Sequence, residues 1–374
     1  MTAHGPRAAI SLAALLVLAA CGTPPDPRPP AEPAPSAAEP PPAPEPKPAF
    51  APQRVTFERG AMGTKVVLSA FTSPQIDADT LKRHILAAFE EIVRIEQLMS
   101  PWIESSDVSQ INRAPKGQPT LVSPETLAVL QKSLDIAQRS EGVFDVSFEA
   151  MHGLWKFDED VDGTIPTMAA IHKAKKLIDY RQITLDSEKR TVLLGKEGMR
   201  INLGGIAKGY AVDLAVKKLD DLGVPAFYIQ AGGDLFVRGK KPDGTAFRVG
   251  VRDPRGKGPE DVFATLEVVD RAFSTAGDYE RAFIRDGKRY HHIIDPRTGY
   301  PATASRSVTI WAKSALMADA LDDAVFILGA EKGLALVASE PGAGAVVVTD
   351  KNEVVVSPTL ADALVMHKKP TDAP

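Results

Sequence analysis

The residues best suited to chemistry lie between His291 and Asp323. This stretch holds the pair His291-His292, the stiff turn Asp295-Pro296, and Asp319 and Asp323 in ADALDDA. Ser314 to Leu328 predicts a helix, apolar on most sides, with Gly329 as its stop. At about 3.6 residues per turn, Leu316, Asp319, Ala320, Asp323 and Ile327 share one face. Two acids at i and i+4 repel, and burial sharpens the repulsion. A hard cation between them reverses the sign, since Mg²⁺ is commonly held by one or two carboxylates plus ligand phosphates and water. The same spacing also suits a solvated face carrying ordinary surface charge, and spacing alone leaves both readings open.

Other segments carry weaker signals. Asn202-Leu203-Gly204-Gly205-Ile206-Ala207-Lys208-Gly209 follows a strand-like run, Met199 to Asn202, and opens a helix. Such turns present backbone N–H groups and a positive dipole end to phosphates, and Lys208 adds a point charge. The spacing is neither that of a P-loop nor G-x-G-x-x-G, and a tight helix start with a solvated lysine fits equally. Ala231-Gly232-Gly233-Asp234 suggests close backbone approach to a neighbouring segment. Gly142-Val143-Phe144-Asp145 reads by itself as a loop.

The elements that must position these residues mix helices and strands without regular βαβ alternation. Strands are expected in Val55 to Phe71 around Gly60 to Thr64, and at Ala226–Gln230, Leu235–Val237 and Phe247–Val251. More follow at Ala264–Val269, Tyr290–Ile294, Val308–Trp311, Gly344–Val348 and Val354–Val356. Helices are expected at Asp79–Met99, Ser123–Ser140, Ile171–Ile178 and Gly205–Leu222. Consecutive, hairpin-like strands point to an α+β fold with a largely antiparallel sheet.

The N-terminus bounds the setting. Arg7, the apolar run Ala8 to Leu18 and Leu18-Ala19-Ala20-Cys21 resemble a bacterial lipoprotein signal, too short to span a bilayer. Residues 1–20 are expected to be this signal, with Cys21 as the lipidated first mature residue. Cys21 is the only cysteine, so an intrachain disulfide or an active-site thiol is excluded. Gly22 to Phe50 carries 13 prolines in 29 residues, which cannot build a packed core. Residues 21–52 therefore read as an extended tether with a reach of roughly 90 Å. Residues 53–366 form the folded region, and 367–374 are expected to fray. The formal net charge of −4, with no basic stripe, argues against a nucleic-acid partner.

Taken in order, the motifs resemble the ApbE family of FAD:protein FMN transferases over about Val55 to Leu360. They comprise Met62 to Thr64, Met99 to Trp102, GVFDVS, LW-x-F, NLGGIAKGYAVD, GGD, VGVRDP, FSTAGDYER, HHIIDPRTGYP and ADALDDA. The resemblance implies an ApbE-like, T-fold-related architecture and a defined reaction. FAD is taken as substrate, its pyrophosphate is cleaved with Mg²⁺, and FMN passes by a phosphoester to a Thr or Ser of a target protein. The implied targets are subunits of membrane-bound redox complexes facing the bacterial periplasm, where a lipid-anchored enzyme would meet them.

The resemblance also implies roles. Met62 and Trp102, the latter where Tyr is usual, would pack against the flavin, which Ile293 would also line. Val143, Phe144, Asp145, Asn202 and Lys208 would meet FAD. The Gly205 carbonyl, Asp319 and Asp323 would hold the metal. His292 would take the proton from the acceptor hydroxyl, with His291 structural or exposed. The chain departs from the family at Asp323, usually Thr, at Asp322, usually Ser or Ala, and at Asn202, often Asp. Phe148-Glu149-Ala150-Met151 replaces the Gly-Pro-Leu common after the FD segment. Water in place of the acceptor hydroxyl would make an FAD pyrophosphatase of the same site, and binding alone a periplasmic FAD-holding lipoprotein.

Overall fold

The computed structural model describes residues 50–157 and 160–373; the expected signal segment, Cys21 and the tether up to residue 49 lie outside them. An eight-stranded sheet organises the chain. Its spatial order is Arg54–Ala61, Thr64–Phe71, Phe227–Ala231, Asp234–Arg238, Arg271–Gly277, Ser305–Ala312, Gly344–Thr349 and Val354–Val356. Every neighbouring pair is antiparallel, as the α+β reading expected.

The sheet has two covered faces because its strands alternate with period two. Ala272 and Ala276, with Val308, Ile310, Ala312, Ala345 and Val347, enter the core shared with the helices. Phe273, Val346 and Val348 point the other way, into a core shared with the small sheet Phe247–Arg252, Val262–Val268 and Leu364–Met366. The helical layer contains α1 (Ala78–Met99), α5 (Ala207–Asp221) and α6 (Ala315–Ala338). Around it lie α2 (Asp107–Arg113), α3 (Pro124–Arg139) and α4 (Met168–Lys175). The small side chains of Ala272, Ser274 and Ala276 leave room for α6 to lie close on the sheet, and Ser274 thereby faces a helix rather than water.

Three expectations change. Gly329 interrupts α6 with φ 76° and ψ −178° but does not end it. Only glycine adopts that backbone cheaply, and Leu334, Leu336 and Val337 beyond it still have core to bury. Met199 to Asn202 is no strand, because Asn112 takes its hydrogen bonds: Oδ1 accepts from Ile201 N–H at 2.7 Å and Nδ2 donates to Ile201 O at 2.9 Å. The end of the chain, expected to fray, is tied down. Thr371 gives Asp253 two backbone contacts of 3.0 and 3.1 Å and a hydroxyl bond of 2.8 Å. Lys368 bridges Asp253 and Asp261, and the Ala373 carbonyl accepts from Arg255 and Arg306. The short helix α2 and the pair Ile183–Asp186 and Thr191–Leu194 were not expected at all.

A separate aromatic cluster supports the segment leading to His292. Trp155, Phe157, Phe283 and Tyr290 stack in a ring with centroids 5.3–5.8 Å apart. Trp155 Nε1 donates to Gly299 O at 3.0 Å. These contacts clamp the hairpin Ala282–Arg285 and Lys288–His291. No helix among the described residues is long and apolar enough to cross a membrane.

Candidate active site

Close packing of α5 on α6 creates the site. A Cβ on Gly209 would sit 2.2 Å from the Ala315 carbonyl oxygen, so only glycine permits this approach. Asp213 of α5 then caps α6, accepting from Ala315 N–H at 2.7 Å and Leu316 N–H at 3.0 Å. One turn further along, Asp319 meets the start of α5. Gly209 N–H donates to its Oδ2 at 2.9 Å and Lys208 Nζ to its Oδ1 at 2.8 Å. Lys208 also donates to Gly204 O at 3.0 Å and lies 3.3 Å from Asp234 Oδ2. Burial works against the Lys208 charge, but Asp234 and Asp319 more than offset it and raise its pKa. Lys208, expected to meet a phosphate, is therefore engaged first by acids.

Asp319 is only 2% exposed, and one oxygen each from Asp234, Asp319 and Asp322 lie within 4.8 Å of one another. Ser274 Oγ is 2.5 Å from both Asp234 Oδ1 and Asp322 Oδ2. A hydroxyl has one proton to give. Two such short contacts require a carboxyl proton on one of the acids, or a positive charge among them. Burial, helped by the Asp319 charge, pushes Asp234 up to about 7 against Lys208 and Ser274. Burial and the charges of Asp323, Asp319 and Asp234 hold Asp322 well above the usual carboxylate range.

Asp319, which also acts electrostatically on Asp323, is thus grouped in addition with Asp234 and Asp322. Asp323 sits to one side, where its Oδ2 is 3.6 Å from the place a Gly205 Cβ would occupy, with Phe144 Cε2 at 3.5 Å. Among the described residues no hydrogen bond or ion pair engages the Asp323 carboxylate. Burial raises it to about 6, Lys208 opposing and Asp319 adding. Asp234 Oδ2 also accepts no hydrogen bond. A set of buried and half-buried carboxylate oxygens, with Asp323 unpaired among the described residues and Asp234 Oδ2 met only by the Lys208 charge at 3.3 Å, fits a hard divalent cation.

The neighbouring loops hold the other expected contacts. Val143 and Phe144 are buried, and Phe144 reaches Gly205. Asp145 spends its carboxylate on the loop itself, accepting from Ser147 N–H, Ser147 Oγ and Tyr180 N–H at 2.6–2.9 Å. Asn202 accepts from Gly204 N–H at 2.7 Å and donates to Glu149 Oε2 at 2.9 Å. The charge missing from Asn202 therefore stands beside it on buried Glu149.

The histidines separate cleanly. His291 is buried, and its Nε2 is 2.9 Å from Ala302 O while Nδ1 accepts from Ile293 N–H at 3.3 Å. With Phe326 edge-on at 5.5 Å, it is structural. His292 follows the hairpin, held by its N–H to Arg281 O at 3.1 Å. Its Nδ1 is buried with no hydrogen-bond partner among the described residues. Burial, then the charges of Arg281 and His291, push it down to about 3, well below the near-neutral range expected of a base; Lys208 contributes in the same sense. Ile293 is buried behind it, accepting from Ala302 N–H at 2.9 Å.

Met62 occupies a left-handed turn with φ 53°, its N–H bonded to Glu96 Oε1 at 2.6 Å. Trp102 is 74% exposed and meets His152 edge-on at 5.0 Å. Among the described residues, no hydrogen bond, ion pair or ring contact joins either one to the acidic group. An indole left open beside a histidine is ready to stack on a planar ligand. The residues that sequence reasoning left without a role are Asp234, Ser274, Glu149 and Asp213. The signal available for Asp234 was an acid placed directly after the two glycines of a hairpin turn.

A half-buried lysine among carboxylates, a glycine-rich helix start and a histidine with an unpartnered Nδ1 are the parts of a phosphoryl-group site, and the comparisons agree with that class. The ApbE family profile matches residues 62–347, and the chain belongs to the ApbE family. The "FAD:protein FMN transferase" of Treponema pallidum is 34% identical over 294 residues, covering 74% of this chain and 81% of the relative. That of Vibrio cholerae is 28% identical, covering 87% and 89%. Among solved structures, the ApbE protein of Thermotoga maritima superposes with a TM-score of 0.74 at 34% identity, covering 82% of this chain and 98% of that one. The flavin transferase ApbE of Vibrio cholerae gives a TM-score of 0.74 at 26% identity, covering 84% of this chain and all of that one.

Proposed function

We propose that this chain is an Mg²⁺-dependent FAD:protein FMN transferase that releases AMP and leaves FMN on a Thr or Ser of a target protein. The observation that carries the reading is the pairing of Lys208, at the start of α5, with Asp319 of α6, with His292 Nδ1 unpartnered in the same electrostatic neighbourhood. The names of the relatives support the transfer of FMN from FAD to a protein.

In this reading Trp102 and Met62 receive the flavin, while the turn Asn202 to Gly205 and Lys208 face the pyrophosphate. A Mg²⁺ ion held by Asp319, Asp323 and the Gly205 carbonyl would supply charge neutralisation on the phosphate oxygens. The acceptor hydroxyl oxygen bonds to the flavin-side phosphorus, the P–O bond to the AMP side breaks, and the hydroxyl proton goes to His292. A base with a pKa near 3 has little pull on that proton. The negative pyrophosphate acts on His292 in the sense opposite to Arg281, so substrate binding raises its basicity. The lipoprotein-like N-terminus supports a periplasmic enzyme anchored through Cys21, with acceptors among membrane redox proteins.

Incubation with FAD, Mg²⁺ and an acceptor-bearing peptide, read by mass spectrometry, tests this. Flavinylated peptide with matching AMP is expected. Free FMN and AMP with no peptide adduct would replace the reading with FAD hydrolysis. Bound FAD without AMP would leave only a flavin-holding protein.

A further inference from the structure

We infer that Glu149 is a positioning residue for the FAD-binding turn and acts through Asn202. This rests on the FAD reading above and adds to it a residue outside the direct contacts. Glu149 lies in the 3₁₀ segment Val146–Met151, and its side chain is only 4% exposed. A carboxylate so placed needs donors. Asn202 Nδ2 provides one at 2.9 Å, and Arg200 Nη2 stands 3.8 Å away.

The amide of Asn202 has only one workable orientation. Its Oδ1 accepts from Gly204 N–H at 2.7 Å, so its NH₂ must face the carboxylate. The backbone adds a further tie, Asn202 N–H to Val146 O at 2.8 Å. Gly204 O then accepts from Lys208, which pairs with Asp319. One unbroken line of polar contacts therefore runs from Glu149 to the acidic group. The Glu149 carbonyl also accepts from His152 N–H at 2.9 Å, and His152 is the ring beside Trp102. The Glu149 carboxylate thus holds the Asn202 turn, while the backbone of the same 3₁₀ segment places the residue that flanks the exposed indole.

The arrangement requires opposite hydrogen-bonding characters at positions 149 and 202. An acid faces an amide; two acids facing each other repel or must share a proton. The test is a double-mutant cycle read by FAD binding (flavin fluorescence) and by AMP release with Mg²⁺ and acceptor peptide. Asn202→Asp is expected to raise half-saturating FAD about tenfold, with kcat changed less than about threefold. Adding Glu149→Gln to Asn202→Asp restores a donor–acceptor pair with its sense reversed, and should return half-saturation to within about threefold of the parent. Glu149→Ala should weaken FAD binding about tenfold, and Glu149→Gln should recover most of that loss.

An Asn202→Asp effect of the same size in both Glu149 backgrounds would overturn the inference, as would Glu149→Ala with unchanged FAD half-saturation. If Asn202→Asp does not fold, the comparison of Glu149→Ala with Glu149→Gln decides alone. A parent chain that neither binds FAD nor yields AMP would sink the functional reading together with this inference. A parent that binds FAD, with no coupling between the two positions, would sink only the inference.

Discussion

The acidic end and the histidine end of the site are built in opposite ways. Asp319, Asp234 and Asp322 sit where the central sheet, α5 and α6 meet; Asp319 is bonded from the start of α5, and Asp234 and Asp322 share Ser274 of the sheet. His292 sits beyond a two-stranded hairpin and is held by one backbone hydrogen bond and a stack of aromatic rings beside it. The first end is a network of ionisable side chains; the second rests on one backbone hydrogen bond and aromatic packing beside the Arg281 charge. Under the proposed reading, charge stabilisation in phosphoryl transfer rewards the fixed groups of the acidic end, and the base would sit on the less anchored end.

The comparison breaks most readily at Asp319. Asp319→Ala should lower AMP formation about 10³-fold with either water or peptide as acceptor, because several kcal/mol of charge stabilisation disappear. A fall confined to peptide transfer would show that the two ends are not divided as described. His292→Ala should cut peptide flavinylation about 10²-fold while FAD still binds, measured by adduct mass and flavin fluorescence. Unchanged transfer would remove His292 from the chemistry.

A smaller effect concerns pH. Asp323 near 6 and Asp234 near 7 bind protons increasingly as pH falls through that range. Metal must compete with those protons. Half-saturating Mg²⁺ should therefore rise about tenfold from pH 7.5 to 5.5, and Asp323→Asn should flatten the rise. His292, near 3, stays uncharged across the same window and adds no limb of its own in the substrate-free enzyme. The smallest effect is expected at the flavin contact. Trp102→Ala should raise the KM for FAD about tenfold, the loss of one aromatic stack, with kcat nearly preserved. A large kcat loss there would place the indole in the chemistry rather than in binding.

Much of the frame was legible from residue order. The hairpin at Arg54–Phe71, the helix α1 and the α6 carboxylates all follow from local periodicity and capping. Gly329 misled because a glycine stop and a glycine kink look alike until the apolar residues beyond it find a core. Asp322, three residues from Asp319 and noted only as a departure from the family, gained no role from residue order because its partner Ser274 lies 48 residues upstream. Asp234 was hidden for the same reason: its partners come from three separate stretches of chain. Long-range polar groupings leave no spacing to read. The tail was misjudged because Thr371 and Lys368 are ordinary surface residues until Asp253 is seen beneath them.

That tail bears on the order in which the molecule can be completed during synthesis. Asp253 is wholly covered, and the Thr371 bonds it accepts come from 118 residues further along the chain. Until Thr371 has been made, Asp253 lacks these partners, and Arg255 has Asp278 without the Ala373 carbonyl. The small sheet receives its outer strand, Leu364–Met366, in the same late interval. The clasp therefore closes only after the segments it fastens have been made.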